Sequence, residues 1–168
     1  SRVNAVLKCA SPRVAAEPTE WVQGSHVLLD IPANHGIPDC EPCFDTRVRF
    51  VMPWNGKTFL VTTETLRASL MDRPYTTEAE VAYLVGIYHY YFPILGNIEA
   101  LRAQILETFC GVRVLPKQTG NPFDRPRDTL QKCQTSHPNL LSLYGGKLTT
   151  YRTTAAQVLA WLETVIGE

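Results

Sequence analysis

Apolar and polar residues are spaced in the first half of the chain in a way that predicts β-strands. Residues 21–29 are rich in aliphatic side chains and are expected to form one strand. Over residues 47–52 apolar side chains alternate with arginines, so the apolar side of this strand is expected to be buried and its arginines exposed. An Asn-Gly pair at residues 55–56 separates it from a β-rich run at residues 58–63. That pair predicts a two-residue hairpin turn.

A spacing of three and four residues between apolar positions predicts two helices. The first is expected to begin after a threonine N-cap at residues 76–77, with acidic residues in its first turn, and to stop before Pro93. Its expected apolar face consists of Val81, Leu84, Val85, Tyr88 and Tyr91. The second helix follows two adjacent glycines near the end of the chain. Its expected apolar residues are Leu148, Tyr151, Ala155, Val158, Leu159 and Leu162.

The remaining segments complete an α+β pattern. Residues 1–19 lack a clear period and are expected to form a lead-in of weak structure before a single domain over residues 20–168. Residues 105–115 favour a strand, and residues 129–133 and 140–144 predict two short ones. Strands joined by hairpins, with helices between and after them, predict an α+β fold built on a largely antiparallel sheet with flanking helices.

The composition indicates a soluble globular protein without a strongly charged surface. The 168 residues are 45% hydrophobic and 19% charged, and 16 basic residues balance 16 acidic ones. This balance gives no indication of nucleic-acid binding. No apolar run approaches the roughly 20 residues that span a bilayer, and the N-terminus lacks the pattern of a signal peptide. A cytoplasmic location is therefore expected.

Five cysteines raise the question of a metal or redox site. Cys40 and Cys43 form a C-x-x-C with His35 nearby, a spacing that such sites use. No second pair of ligands accompanies them, and several prolines surround them. We therefore expect free thiols in a reducing compartment and no metal site.

Gly145, Gly146 and Lys147 form the strongest candidate binding motif. Adjacent glycines before a helix let a ligand approach the backbone closely, and a helix N-terminus carries a partial positive charge. Lys147 adds a full positive charge. The motif predicts an anion-binding turn, although neither of the common nucleotide-binding glycine fingerprints occurs in the chain.

Three cations and one histidine are further candidates for chemistry. Arg113, Arg127 and Lys147 each lie beside a glycine, a proline or the end of an element, and three such cations could clamp a phosphate. Each could equally be an ordinary surface cation. His26, in the first predicted strand, is a candidate general base because imidazole titrates near neutral pH, whereas a lone histidine in a strand is more often structural.

Six segments, in order over about residues 20 to 160, resemble the FAD-dependent glycerol-3-phosphate dehydrogenases and their oxidase relatives. They are residues 24–29 (G-S-H and an apolar run), 48–58 (V-x-F-V-I-P-W-x-G-K-T), 62–65 (G-T-T-D-T), 110–115 (A-G-V-R-P-L), 127–128 (S-R-D) and 145–152 (G-G-K-L-T-T-Y-R). Six short motifs in the family's order are specific together. The departures from the family pattern are Val61 for Gly, Glu64 for Asp, Val114 for Pro and Pro126 for Ser or Thr.

The resemblance implies that the chain is the substrate-binding part of a longer enzyme, since the family's flavin-binding half is absent from it. The fragment alone is then expected to be inactive. The whole enzyme would bind FAD and oxidise glycerol 3-phosphate to dihydroxyacetone phosphate, with electrons passing to a quinone, or to oxygen in the oxidase relatives. The resemblance also implies a homodimer and peripheral contact with the inner membrane.

The same resemblance implies roles for individual residues. His26 would be the catalytic base or the residue that orients it. Arg113, Arg127 and Lys147 would hold the phosphate or polarise the C2 oxygen of the substrate, which makes Arg113 and Lys147 catalytic candidates as well. The backbone amides expected at the flavin pyrimidine edge are those of Gly145, Gly146, Lys147, Leu148 and Thr149.

Two alternatives stay open on the sequence alone. One is another FAD-dependent oxidoreductase, acting on an amine or a different hydroxy compound. The other is a binding or assembly module without catalytic activity.

Overall fold

The computed structural model describes residues 2–33, 36–41, 48–69, 73–93, 97–117 and 128–167. The helices in these ranges are α1 (Arg2–Leu7), α2 (Glu78–Tyr91), α3 (Ile98–Arg102) and α4 (Tyr151–Ile166). The strands are β1 (Thr19–Leu29), β2 (Asp39–Cys40), β3 (Arg49–Trp54), β4 (Lys57–Val61), β5 (Thr65–Arg67), β6 (Ile105–Pro116), β7 (Thr129–Gln134) and β8 (His137–Gly145).

The chain divides into two compact units. Val22–Val112 is called the sheet unit here, and Ser1–Trp21 together with Arg113–Glu168 is called the hairpin unit. The predicted functional boundary near residue 20 stays a prediction.

The larger sheet has six strands in the order β2-β3-β4-β1-β5, with β6 also paired to β1. The β1–β4, β2–β3 and β3–β4 pairs are antiparallel. A second, two-stranded antiparallel sheet consists of β7 and β8. The predicted α+β fold with a largely antiparallel sheet and flanking helices is therefore confirmed.

The turn between β3 and β4 forms at the predicted Asn-Gly pair. Asn55 has a φ of 48° and Gly56 a φ of 74°, so both central residues are left-handed. This backbone is typical of the two-residue turns that match the twist of paired strands. The pair of Trp54 with Lys57 closes the turn and sets the register of the whole β3–β4 ladder.

Helix α2 covers one face of the sheet and creates the main core. Its N-cap is Thr77, as predicted, within a reciprocal capping box with Glu80. The core contains Val27, Leu29, Cys40, Val51 and Leu60 from strands, Val81, Leu84, Val85, Ile87 and Tyr88 from α2, and Leu101 from α3. Tyr91 was expected on the apolar face, and this is wrong. It lies exposed in the last turn, where its hydroxyl donates to the carbonyl of Glu41.

Strand β3 faces the core with the side opposite to the predicted one. Arg49 and Val51 are buried, whereas Phe50 and Val48 are exposed. Both sides of this strand carry apolar residues, so alternation alone could not decide which side α2 would cover. The buried guanidinium of Arg49 lies 5.4 Å from the ring centre of Tyr83 on α2, a cation–π contact that helps to compensate its loss of water.

The hairpin unit has its own small core at the N-terminal segment. Residues expected to have weak structure include α1, and Leu7 and Val14 are buried with Tyr144 of β8. The side-chain amide of Asn4 donates to the carbonyl of Glu17 at 3.0 Å, and the Tyr144 hydroxyl donates to the Asn4 side-chain oxygen at 3.1 Å. The prediction of weak structure was wrong because these contacts lie more than 100 residues apart in the chain.

Candidate functional site

The double-glycine turn lies at the end of β8, where the backbone takes a conformation that favours glycine. Gly145 has a φ of 70° and Gly146 a φ of 84°. A Cβ atom on Gly146 would lie 2.4 Å from Oγ1 of Thr129 on β7. Gly146 therefore meets two independent requirements, a left-handed backbone and close packing against the neighbouring strand.

A helical segment follows this turn, as predicted, but it begins with a 3₁₀ turn. Residues Leu148–Thr150 form the 3₁₀ turn and lead directly into α4. The backbone N–H of Lys147 donates to Oγ1 of Thr150 at 3.3 Å, and this hydroxyl donates to the Lys147 carbonyl at 2.9 Å. The backbone of Lys147 is thus anchored, while its side chain is exposed. The first amides of such a segment lack intrahelical acceptors and carry partial positive charge.

Helix α4 is attached to β7 by polar contacts. The hydroxyls of Thr129 and Thr154 lie 3.0 Å apart, and the side-chain amide of Gln131 donates to the side-chain oxygen of Gln157 at 2.8 Å. These contacts fix the start of α4 beside the glycine turn.

An open groove of about 730 Å³ lies between the glycine turn and α4. Its lining consists of Thr129, Leu143, Gly145, Gly146, Lys147, Leu148, Tyr151, Thr154, Ala155, Val158 and Leu159. The predicted apolar stripe of α4 is present, but it is not buried: Leu148 is 89%, Tyr151 64% and Leu159 60% exposed. The groove therefore combines an apolar wall with backbone donors and one cation, a lining that suits a flat ligand with an electron-rich edge.

His26 lies on β1 in the sheet unit, on the face of the sheet that α2 does not cover. It is half-buried, and the β1–β4 register pairs it with Val61. Its imidazole stacks on the ring of Phe59, with ring centres 5.3 Å apart and an angle of 24° between the planes. His26 is therefore not part of the main core.

Phe59 is at the centre of an aromatic cluster on this face. Its ring centre lies 5.9 Å from that of Phe109 on β6, in an edge-to-face arrangement, and 5.8 Å from that of Trp54. An open depression of about 740 Å³ also borders Phe109. The residues that line it are Arg73, Pro74, Tyr75, Thr76, Thr108, Phe109 and Cys110.

Glu80 is a buried carboxylate behind β1, which the sequence reasoning placed only in the first turn of α2. It accepts hydrogen bonds from the hydroxyl of Thr63 at 2.8 Å, the backbone N–H of Thr77 at 2.9 Å and the side-chain amide of Gln23 at 3.1 Å. The Gln23 side-chain oxygen in turn accepts from the guanidinium of Arg67 at 2.7 Å. A capping-box pattern signals the helix start, but it does not reveal that the acid will be buried.

Hydrogen bonding decides the charge of this carboxylate. Burial alone would raise the pKa of Glu80, but the hydrogen bonds from Thr77 and Thr63 outweigh burial and lower this pKa from its ordinary value. Glu80 is therefore ionised at neutral pH. Thr63 belongs to the segment that resembles G-T-T-D-T, so the structure gives this hydroxyl a definite partner.

The candidate residues fall into both units. His26 lies in the sheet unit, whereas Arg113, half-buried on β6, and Lys147 lie in the hairpin unit. Arg127 lies outside the described residues, and so do two members of the C-x-x-C region, Cys43 and His35. The roles of these residues in binding and catalysis stay predictions.

Cys40, the described member of the C-x-x-C, is buried and free. Burial, and then the nearby charge of Asp39, raise the pKa of its thiol. Over the described ranges, no group of three or more His, Cys, Asp and Glu side chains could hold a metal ion. Over the same ranges, no helix has the length and apolar character to cross a membrane.

Comparisons with known proteins identify relatives over most of this chain. It is 31% identical over 159 residues to a glycerol-3-phosphate dehydrogenase of Synechocystis sp., an alignment that covers 86% of this chain and 28% of that protein. It is 29% identical over 143 residues to the aerobic glycerol-3-phosphate dehydrogenase of Staphylococcus aureus, covering 82% of this chain and 24% of that protein. No family model matches the chain.

A solved structure has the same fold. The glycerol-3-phosphate dehydrogenase from Bacillus halodurans, complexed with FAD, superposes with a TM-score of 0.71 at 20% sequence identity, over 98% of this chain and 30% of that chain. The resemblance to this family that six motifs indicated is therefore confirmed by sequence and by fold. The chain spans only about a quarter of the length of the curated relatives, 28% and 24% of the two named above.

Proposed function

We propose that this chain, a relative of glycerol-3-phosphate dehydrogenases, is the substrate-binding part of a longer FAD-dependent enzyme that oxidises glycerol 3-phosphate to dihydroxyacetone phosphate. The observation that carries the proposal is the sequence match over 86% of the chain, which includes the glycine turn. Without the flavin-binding part, the chain has no turnover of its own.

The glycine turn and its groove suit the cofactor of this family. When bound, FAD supplies acceptance of the hydride that leaves C2 of the substrate. Residues Gly145 to Thr149 hold the edge of the flavin ring through backbone N–H groups, and the apolar side of the groove accepts its flat surface. Lys147 and the partial charge at the start of the helical segment stabilise negative charge at that edge.

The remaining chemistry is the transfer of one proton and the binding of a phosphate. His26 accepts the proton of the C2 hydroxyl as the hydride leaves, so the alcohol becomes a ketone and the imidazole becomes an imidazolium. Arg113, Arg127 and Lys147 bind the phosphate dianion or polarise the C2 oxygen, because several charge-assisted donors are needed to replace its water.

The electrons of the reduced enzyme pass to a quinone in this proposal. A peripheral position on the inner membrane would bring the enzyme to that acceptor, and a homodimer is the assembly expected. Comparing quinone analogues with oxygen as acceptors of the reduced enzyme tests the first of these points.

A specific observation favours a second candidate, an FAD-dependent oxidoreductase with another hydroxy substrate. Val61 stands where the family pattern has glycine, and it pairs with His26 in the β1–β4 register. Facing side chains of paired strands lie about 5 Å apart, so an isopropyl group beside the imidazole narrows the space for a substrate. Assays with a panel of hydroxy acids and polyol phosphates distinguish the two candidates.

The Lys147→Ala variant of the longer protein tests the role of the glycine turn. We expect the rate constant of flavin reduction to fall at least about tenfold, with a smaller loss of flavin affinity, because the lysine charge matters most when the ring becomes anionic. The control is Lys132→Ala, a half-exposed cation on β7 whose ammonium lies 3.6 Å from the carboxylate of Glu17. Equal losses of reduction and of affinity in Lys147→Ala would contradict this role.

A further inference from the structure

The β1–β4 register places Phe59 next to His26 on the same face of the sheet. Leu28 pairs with Phe59 and His26 pairs with Val61, so His26 and Phe59 are diagonal neighbours on adjacent strands. Diagonal neighbours on one face lie within reach of aromatic side chains. The two rings make use of this, since their planes differ by only 24° at a centre-to-centre distance of 5.3 Å.

Phe59 is itself held in place from two sides. The edge-to-face contact with Phe109, at an angle of 77°, and the tilted contact with Trp54 both fix its ring. Aromatic pairs at such distances are stabilising beyond the area that they bury. The surface under the imidazole is therefore a supported aromatic ring.

The backbone beside His26 is fixed independently of these rings. Ser25 is fully buried, its N–H donates to the Thr63 hydroxyl at 3.0 Å, and its carbonyl accepts from the Thr63 N–H at 3.1 Å. The Thr63 hydroxyl in turn donates to Glu80 at 2.8 Å. With the strand held in this way, the main freedom left to His26 is rotation of its side chain, and that is the motion that stacking on Phe59 restricts.

We infer that Phe59 is a positioning residue, which holds the plane of the His26 imidazole so that a ring nitrogen meets the substrate hydroxyl. This inference rests on the proposed function, in which His26 accepts that proton. A ring nitrogen accepts a proton only in the plane of the ring, so the orientation of the plane sets the direction of transfer. Phe59 touches neither proton donor nor acceptor atom of the reaction in this role.

The test is a double-mutant cycle in the flavin-containing protein, measured as the rate constant of flavin reduction by saturating glycerol 3-phosphate without oxygen. We expect Phe59→Leu to lower this rate constant about three- to tenfold, the scale of one aromatic contact, with little change in the substrate concentration needed for half-saturation. Phe59→Tyr keeps the ring and should lose less than Phe59→Leu. In a His26→Asn background, Phe59→Leu should cause no further loss.

The matched control is Phe50→Leu, the same change on the same face but on β3, one strand further from His26. It should leave the rate constant unchanged. Normalising each rate to bound flavin removes any effect of a smaller folded fraction. A fall in Phe59→Leu that persists in full in the His26→Asn background would show a merely structural role and overturn the inference.

The cycle separates failure of this inference from failure of the proposed function. If glycerol 3-phosphate does not reduce the wild-type flavin, or if His26→Asn is reduced as fast as the wild type, the proposed function fails and the inference fails with it. If His26→Asn is slow while Phe59→Leu equals the wild type, only the inference about Phe59 is wrong.

Discussion

Individual residues differ in how far the sequence revealed their role. The two glycines before α4 could be identified because a turn that leads into a helix often demands a left-handed backbone, and the structure has both at positive φ. The partner of His26 could not be identified, because the contact with Phe59 depends on strand register. Glu80 was visible as an acid near a helix start, but its burial depends on three segments that meet only in the folded chain.

Gly146→Ala should destabilise the hairpin unit. The substitution imposes a left-handed backbone on alanine and places its Cβ 2.4 Å from Oγ1 of Thr129, so the contact of that hydroxyl with Thr154 must also shift. We expect a loss of about 1–3 kcal/mol in the free energy of unfolding, on the scale of one strained residue. Urea unfolding followed by circular dichroism measures it.

The control for this prediction is Gly86→Ala, in the middle of α2. A Cβ atom there meets nothing within 4 Å, and alanine is the better helix former by about 0.5–1 kcal/mol. Gly86→Ala should therefore be neutral or stabilising. A Gly146→Ala variant as stable as Gly86→Ala would mean that the turn tolerates a side chain.

At the scale of elements, local signals predicted the structure where they were sufficient. The Asn-Gly turn and the threonine cap of α2 formed at the predicted residues, because each depends on a few neighbours. The orientation of β3 was predicted wrongly, because both of its faces carry apolar residues and α2 selects one of them. Helix α1 was missed for a similar reason, since its stability comes from distant contacts with β8.

The Glu80→Gln substitution should loosen the junction between α2 and β1 at neutral pH. Because the pKa of Glu80 is lowered on folding, its contribution to stability is present above its ordinary value of 4.5 and is lost as pH falls through the lower folded value. We expect a cost of about 1–3 kcal/mol at pH 7, since charge-assisted hydrogen bonds are replaced. The difference from the wild type should shrink in acid.

Hydrogen–deuterium exchange of the α2 amides, corrected for the intrinsic effect of pH, measures this difference. The control is Glu78→Gln in the same first turn, whose side chain is 75% exposed and pairs with Arg102. It should change exchange little at either pH. A Glu80→Gln effect of equal size in acid and at pH 7 would show that the charge of Glu80 is not the cause.

At the scale of the whole molecule, the sequence predicted the fold class, and the fold of the solved relative agrees with it. Hairpin connections and flanking helices are encoded locally and add up to an α+β architecture. Function followed from motifs in a family's order, whereas composition and net charge only excluded other classes. The site residues stay predictions, because Arg127 lies outside the described residues and the others lie in two units.

The central claim is that this chain serves an enzyme that oxidises glycerol 3-phosphate with FAD. The most direct measurement is anaerobic mixing of the longer, flavin-containing protein with glycerol 3-phosphate while the visible absorbance of the flavin is followed. Our account predicts bleaching of the bound flavin and formation of dihydroxyacetone phosphate. A bound flavin that stays oxidised at saturating glycerol 3-phosphate, or a purified protein without flavin, would contradict the claim.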